Sequence, residues 1–298
     1  MRSRKTLTAT MAVLAVLAVV SVRIPAQETE NTQIWGSVET ELPEIEEESG
    51  IIYEFGEEEE ILPYDTFRTW ATSGADGTVT VDREKAEEFV KNLAKEYNTA
   101  WVDRVFISDD GEEYIIPAGI NTYGFVIDVE AETDALIGDI SGIMKNTEMS
   151  VSRKPVYSQT GHRRNGADDL CGTYIEVDIT NQEVTCYRDG ILIDKTYCVT
   201  GNEGAGTPSD EGTFCIFDRQ QNTVLQGRNA DGTQYRRPVS YWMPYNGGEG
   251  LHDASWRSEF GGDIYKWGGS HGCVNLRLED AKAIYENTDM WTPVIVHR

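Results

Sequence analysis

Cys273 closes the run Gly268-Gly269-Ser270-His271-Gly272-Cys273, and His252 stands upstream of it. Together with His271 this places two of the chain's four histidines around one of its five cysteines. A cysteine attacks a carbonyl only as its thiolate, so a reactive one needs an imidazole within hydrogen-bond reach and donors aimed at the oxyanion that forms. Glycines on both sides of Ser270 and His271 permit a sharp turn that points the amides of His271, Gly272 and Cys273 one way. The segment between His252 and the turn contains Gly261-Gly262, so a loop or hairpin can bring the ring back to the thiol.

For any single cysteine or histidine the plain reading is a buried thiol beside a satisfied ring. A zinc site on His252, His271 and Cys273 is another reading, but no C-x-x-C or H-x-x-x-H pair supports it. The string as a whole says more. His252 followed by Ser270-His271-Gly272-Cys273-Val274-Asn275 resembles the signature of the L,D-transpeptidase catalytic domain, of YkuD type, with every matched position filled. The resemblance implies a mainly β catalytic domain, a β-sandwich with a short helix, that uses no cofactor and no metal. It also implies roles: Cys273 as nucleophile, His252 as general base and then acid, and the carbonyl of Asp253 or a nearby group as what orients the ring. The amides of His271, Gly272 and Cys273 would hold the oxyanion, with Ser270 in support. In that family the attacked amide joins the diamino acid of a peptidoglycan stem tetrapeptide to its terminal D-Ala, and an amine of a second stem resolves the thioester into a 3→3 cross-link. Carbapenem acylation of Cys273 is a further expectation. Tyr241, Trp242 and Asn275 are candidates for the substrate groove.

Two readings from other classes compete. A sortase-like enzyme or cysteine peptidase also places His before Cys, but a sortase needs an arginine on a downstream strand, and Arg277 follows Cys273 too closely. A non-catalytic wall-binding protein with a relic site is the other, and an intact His252 and Cys273 argue against it.

The elements that must position these groups follow from the rest of the 298 residues, a length that suits two domains and a tail. The formal charge of −25 argues against nucleic acid and anionic lipid as partners, because binding a polyanion takes basic surface. A monomer is expected. Arg2, Arg4 and Lys5 precede the apolar run Leu7 to Val22, so residues 1–26 read as a membrane anchor or signal segment with its basic end in the cytoplasm. That places the later domains outside the cell membrane of a bacterium, at its wall. Residues 27–60, dense in Glu, read as an acidic, disordered spacer.

Residues 61–157 read as an α+β domain. Asp82 can cap a helix whose Ala86, Phe89, Val90, Leu93, Ala94 and Tyr97 share one face. Strand-like runs follow at Arg104 to Ser108, Tyr114 to Pro117 and Tyr123 to Val129, and a second helix covers about Ala131 to Met144. This stretch resembles the peptidoglycan-binding domain that precedes many such catalytic domains. Residues 158–170 read as a linker, with His162 solvated. Residues 171–298 read as the catalytic domain: strands at Tyr174 to Ile179, Val184 to Arg188 and Ile191 to Val199, a short helix over Glu279 to Asn287, and a last strand at Val294 to His297. Cys171, Cys186, Cys198 and Cys215 can form two disulfides or stay as thiols. The Asp189-Gly190 hairpin is expected to set Cys186 opposite Ile193.

Overall fold

The computed structural model describes residues 4–5, 49–145, 150–228 and 232–298. The apolar run Leu7 to Val22 lies outside the described residues, and among those described no helix is long and apolar enough to cross a membrane.

In the N-terminal unit, Gly50–Phe55 pairs antiparallel with Glu58–Pro63, and Val151–Arg153 adds a parallel strand. This corrects the expectation of a disordered spacer running to residue 60. Ile51, Tyr53 and Phe55 alternate into the core, and this period-2 pattern outweighs the surrounding acidic residues. Glu60 is fully buried and accepts the Tyr97 hydroxyl at 3.0 Å. The helix Arg83–Tyr97 begins at Asp82, whose carboxylate accepts the amides of Glu84 and Lys85 at 3.2 and 3.3 Å. Its six expected apolar positions are its buried ones. It packs with Val129–Lys145 over the sheet, around Tyr53, Phe55, Leu93, Leu136 and Ile140.

The connection to the second unit is docked. Tyr157–Gln159 pairs with Val126–Ile127. The guanidinium of Arg164 lies 4.7 Å from the Phe55 ring and 4.6 Å from the Phe125 ring, with Tyr97 and Tyr157 each at 5.8 Å. Asp169, 1% exposed, forks onto Arg104 at 2.7 and 2.8 Å. His162 is half-buried and its amide donates to the Tyr123 hydroxyl at 3.0 Å, which differs from the solvated ring expected there.

The C-terminal unit stacks two sheets. One has the order Ile191–Tyr197, Glu183–Arg188, Tyr174–Asp178, Pro293–His297, Gly212–Cys215; the other has the order Gln220–Arg228, Gln234–Asn246, Glu249–Asp253, Val274–Leu276. Ile175, Val177, Val184 and Val294 of the first pack with Met243, Leu251, Val274 and Leu276 of the second, and the helix Leu278–Asn287 adds Ala281 and Ile284. Burial of such aliphatic side chains contributes about 1.5–3 kcal/mol each. A bulge between Cys186 and Tyr187 sets Cys186 opposite Asp194 and not opposite Ile193. All five cysteines are free thiols.

A hairpin of the N-terminal unit, Arg104–Ile107 with Glu113–Ile116, joins the two units. Phe106 and Ile116 pack on Ile295, and Asp109 takes Lys195 at 2.7 Å and the Tyr187 hydroxyl.

Candidate active site

His252 and Cys273 come together through a parallel strand pair. Glu249–Asp253 runs beside Val274–Leu276 with His252 directly opposite Asn275. Cys273 lies two residues before Asn275, so period-2 alternation puts its side chain on the same face as Asn275 and His252. Both line one cavity of about 200 Å³, along with Ser270, His271, Asn275, Trp256, Arg257 and the hairpin residues Leu225, Tyr235 and Arg237.

The imidazole is 3% exposed, and its Nδ1 donates to the Asp253 carbonyl at 3.0 Å, which turns Nε2 toward the cavity. Asp253's carboxylate faces elsewhere and accepts the amides of Ser240 and Tyr241 at 2.7 and 2.8 Å. In the amide orientation that satisfies both of its ends, Asn275 donates to His252 Nε2 at 3.1 Å and accepts from Arg257 Nε at 2.7 Å. Burial pulls the His252 pKa down, an effect the Asp253 hydrogen bond opposes and the Arg257 charge reinforces.

The turn that presents Cys273 is clamped from below. Ser270's amide donates to the Thr200 carbonyl at 3.0 Å, Thr207 Oγ1 donates to the Ser270 carbonyl at 3.0 Å, and Ser209 Oγ donates to the Gly272 carbonyl at 2.5 Å. Gly272 has φ 109°, a backbone conformation that favours glycine. Ser270 Oγ donates to the Cys273 carbonyl at 2.5 Å and accepts the Gly272 amide at 3.1 Å. That last bond occupies, inside the turn, one of the three amides expected to hold the oxyanion.

The thiol is half-buried and stands 3.6 Å from the Gly248 carbonyl. Burial pushes it up to about 11; the Gly250 amide opposes the rise and the Glu249 charge adds to it. Glu249 is itself raised to about 7, chiefly by burial, against hydrogen bonds from the Asp210 amide and the Asn246 side chain.

The groove candidates divide. Asn275 lines the cavity. Trp242 lies opposite His252 in register, with ring centroids 5.8 Å apart, but does not line it. Tyr241 does not line the groove and packs on Tyr285 at 5.2 Å. Arg277 lies away from the cavity, over the Phe260 ring.

Sequence reasoning misses the long hairpin Gln220–Arg228 with Gln234–Asn246. Its Tyr235 stacks on His271 at 5.2 Å and 6°, and Gly227 opposite leaves room for that ring. The alternation of Leu225 on one strand with Tyr235 and Arg237 on the other is the signal that could reveal it. Among the described residues no group of three His, Cys, Asp or Glu side chains is placed to hold a metal ion.

A thiol and a tautomer-fixed imidazole in one cavity on a two-sheet unit define a thiol-dependent acyltransferase. Comparison with known proteins agrees. The L,D-transpeptidase catalytic domain model matches residues 172–296, and a peptidoglycan binding domain model matches residues 38–147. The Ldtfm–avibactam carbamoyl enzyme is 33% identical, with 84% of this chain and 94% of that chain covered and a TM-score of 0.69. A cysteine-to-serine mutant of the Enterococcus faecium L,D-transpeptidase is 32% identical, with 84% and 95% covered and a TM-score of 0.69. No curated protein matches the chain. The chain belongs to the L,D-transpeptidase family. It is a cysteine-dependent transpeptidase that works on peptidoglycan in the bacterial cell envelope.

Proposed function

We propose that this chain forms 3→3 peptidoglycan cross-links, with Cys273 as nucleophile and His252 as its proton acceptor and donor. In the first half-reaction the sulfur attacks the carbonyl of the stem's diamino acid while its proton passes to His252 Nε2. The amides of His271 and Cys273 hold the oxyanion, the C–N bond breaks, and His252 returns the proton to the departing D-Ala amine. The thioester then meets the side-chain amine of a second stem, which gives the cross-link and frees the thiol. The observation that carries this reading is the shared cavity. Cys273 and His252 face it from adjacent parallel strands, with Nδ1 held at 3.0 Å by the Asp253 carbonyl. Before a proton can pass, Nε2 must exchange its Asn275 contact for the thiol.

We also infer that the run Leu7 to Val22, with its basic flank, anchors or exports the chain so that both folded units work as a monomer outside the membrane. Residues 171–298 are assigned the chemistry, and the unit that begins at Gly50 the grip on the wall. Incubation with a tetrapeptide stem and intact-mass measurement tests the mechanism: wild type is expected to add the mass of the acyl tripeptide and release D-Ala, and Cys273→Ala to do neither. Acylation that persists in Cys273→Ala would refute the assignment.

A further inference from the structure

The cavity over Cys273 is lined by two guanidinium groups, Arg237 and Arg257, and by no carboxylate. Arg257 is committed to the scaffold. Its Nη2 donates to the Gly268 carbonyl at 2.8 Å, and its Nε and Nη2 reach Asn275 at 2.7 and 3.1 Å. Arg237 differs. It sits opposite Leu225 on the inner face of the long hairpin, two residues beyond Tyr235, with its guanidinium 5.6 Å from the Trp256 ring. Among the described residues no carboxylate pairs with it. Arg104, Arg153 and Arg298 each hold two hydrogen bonds or more to carboxylates, and Arg219 and Arg164, which hold none, donate to backbone carbonyls, whereas among the described residues Arg237 has neither.

A cation left free above a thiol calls for an anion that arrives with the substrate. The amide broken in the first half-reaction carries on its nitrogen side a terminal residue with a free carboxylate. That carboxylate carbon is three bonds from the attacked carbonyl carbon, roughly 3–3.7 Å away. Any pose that brings the carbonyl to Cys273 therefore brings the carboxylate into the same cavity. The planar fork of arginine matches a carboxylate with two parallel hydrogen bonds, and a ring beneath it keeps the fork oriented.

We propose that Arg237 is the specificity residue that receives the free C-terminal carboxylate of the donor stem. The inference rests on the reading given under Proposed function and adds to it the group that marks a donor. When the C–N bond breaks, the carboxylate departs with the released amino acid, so the acylated enzyme has lost the group Arg237 holds. The cavity is thereby emptied for the acceptor amine.

The test uses the full chain and three synthetic tetrapeptide donors: the free acid, its C-terminal carboxamide, and a donor amidated only on an internal carboxyl. Release of the terminal residue is followed for wild type, Arg237→Gln, Arg237→Lys and, as a control on the outward face of the same strand, Arg236→Gln. Wild type is expected to turn over the carboxamide with kcat/KM roughly 10–100-fold below the acid, mostly through KM, as befits loss of one charge-assisted pair. It should accept the internally amidated donor unchanged. Arg237→Gln should drop to the carboxamide level on the acid and lose the discrimination, Arg237→Lys should recover part of it, and Arg236→Gln should match wild type. Equal turnover of acid and carboxamide by wild type overturns the proposal while leaving the transpeptidase reading intact. So does full discrimination in Arg237→Gln, or sensitivity to the internal amide in place of the terminal one. Failure of wild type to acylate with any of the three donors overturns both.

Discussion

Titrating the Cys273 thiol with a small alkylating agent, with no substrate present, tests whether the resting site is ionised. Burial pushes the thiol up to about 11 and draws the imidazole down. Both shifts favour the uncharged pair, sulfur protonated and ring neutral, across neutral pH. At pH 7.5 a thiol of ordinary pKa about 8.5 is roughly 9% thiolate and one at about 11 roughly 0.03%, a ratio of about 300. The more basic thiolate is intrinsically the better nucleophile, by roughly 10- to 18-fold for a Brønsted slope of about 0.4–0.5, which returns part of that loss. Alkylation of Cys273 should therefore run about 15- to 30-fold slower than that of a free cysteine at pH 7.5. The rate of iodoacetamide addition, followed by peptide mass mapping to separate Cys273 from the other thiols, should climb about tenfold per pH unit from 6 to 10. A rate that levels off below pH 8 would mean a preformed thiolate–imidazolium pair and refute the reasoning. The expected outcome makes proton transfer part of the attack, with the donor carbonyl already in place.

The carboxylate beside this thiol gives a second prediction. Glu249 is raised from 4.5 to about 7 in the fold, so its burial costs stability progressively as pH rises through that window and costs nothing below it. Glu249→Gln should therefore gain thermal stability over wild type at pH 8 but not at pH 4, and its Cys273 should titrate lower; parallel melting curves at both pH values would contradict this. At the junction of the two units, Asp169→Ala leaves the Arg104 guanidinium, 10% exposed, without its counter-ion. The expected loss is about 3–5 kcal/mol, read by denaturant unfolding, and a loss under about 1 kcal/mol would show that the pair is relaxed by solvent.

What the sequence reveals follows from how one-sided each pattern is. The helix from Arg83 to Tyr97 is legible because a capping aspartate and six apolar positions at helical spacing agree. The turn at Cys273 is legible because its glycines and small residues have little use except a tight bend. The strands at Gly50–Phe55 and Glu58–Pro63 are hidden because their glutamates dominate composition, although Ile51, Tyr53 and Phe55 alternate inward. The long hairpin is hidden because its solvent face and its cavity face are both rich in polar residues, so alternation of hydropathy is weak where the strand lines a site. Tyr241 and Trp242 show the limit of reading neighbours as one wall: successive strand residues face opposite ways, and the backbone alone decides which meets His252. The bond that the Gly272 amide makes within the turn is hidden for a different reason, since a hydroxyl two residues away takes it up, and composition does not reveal that competition.

The aromatic cage around Arg164 and the docking of Asp109 on Tyr187 and Lys195 have a mechanical consequence. A hinge needs segments that exchange solvent for contacts at little cost, whereas here separating the units exposes Phe106, Ile116 and Ile295 and leaves Asp109 without Lys195 and Tyr187. The enzyme behaves as a caliper with fixed jaws. If the first jaw holds the wall as proposed above, the second serves only those stems that hang at the matching span and pitch.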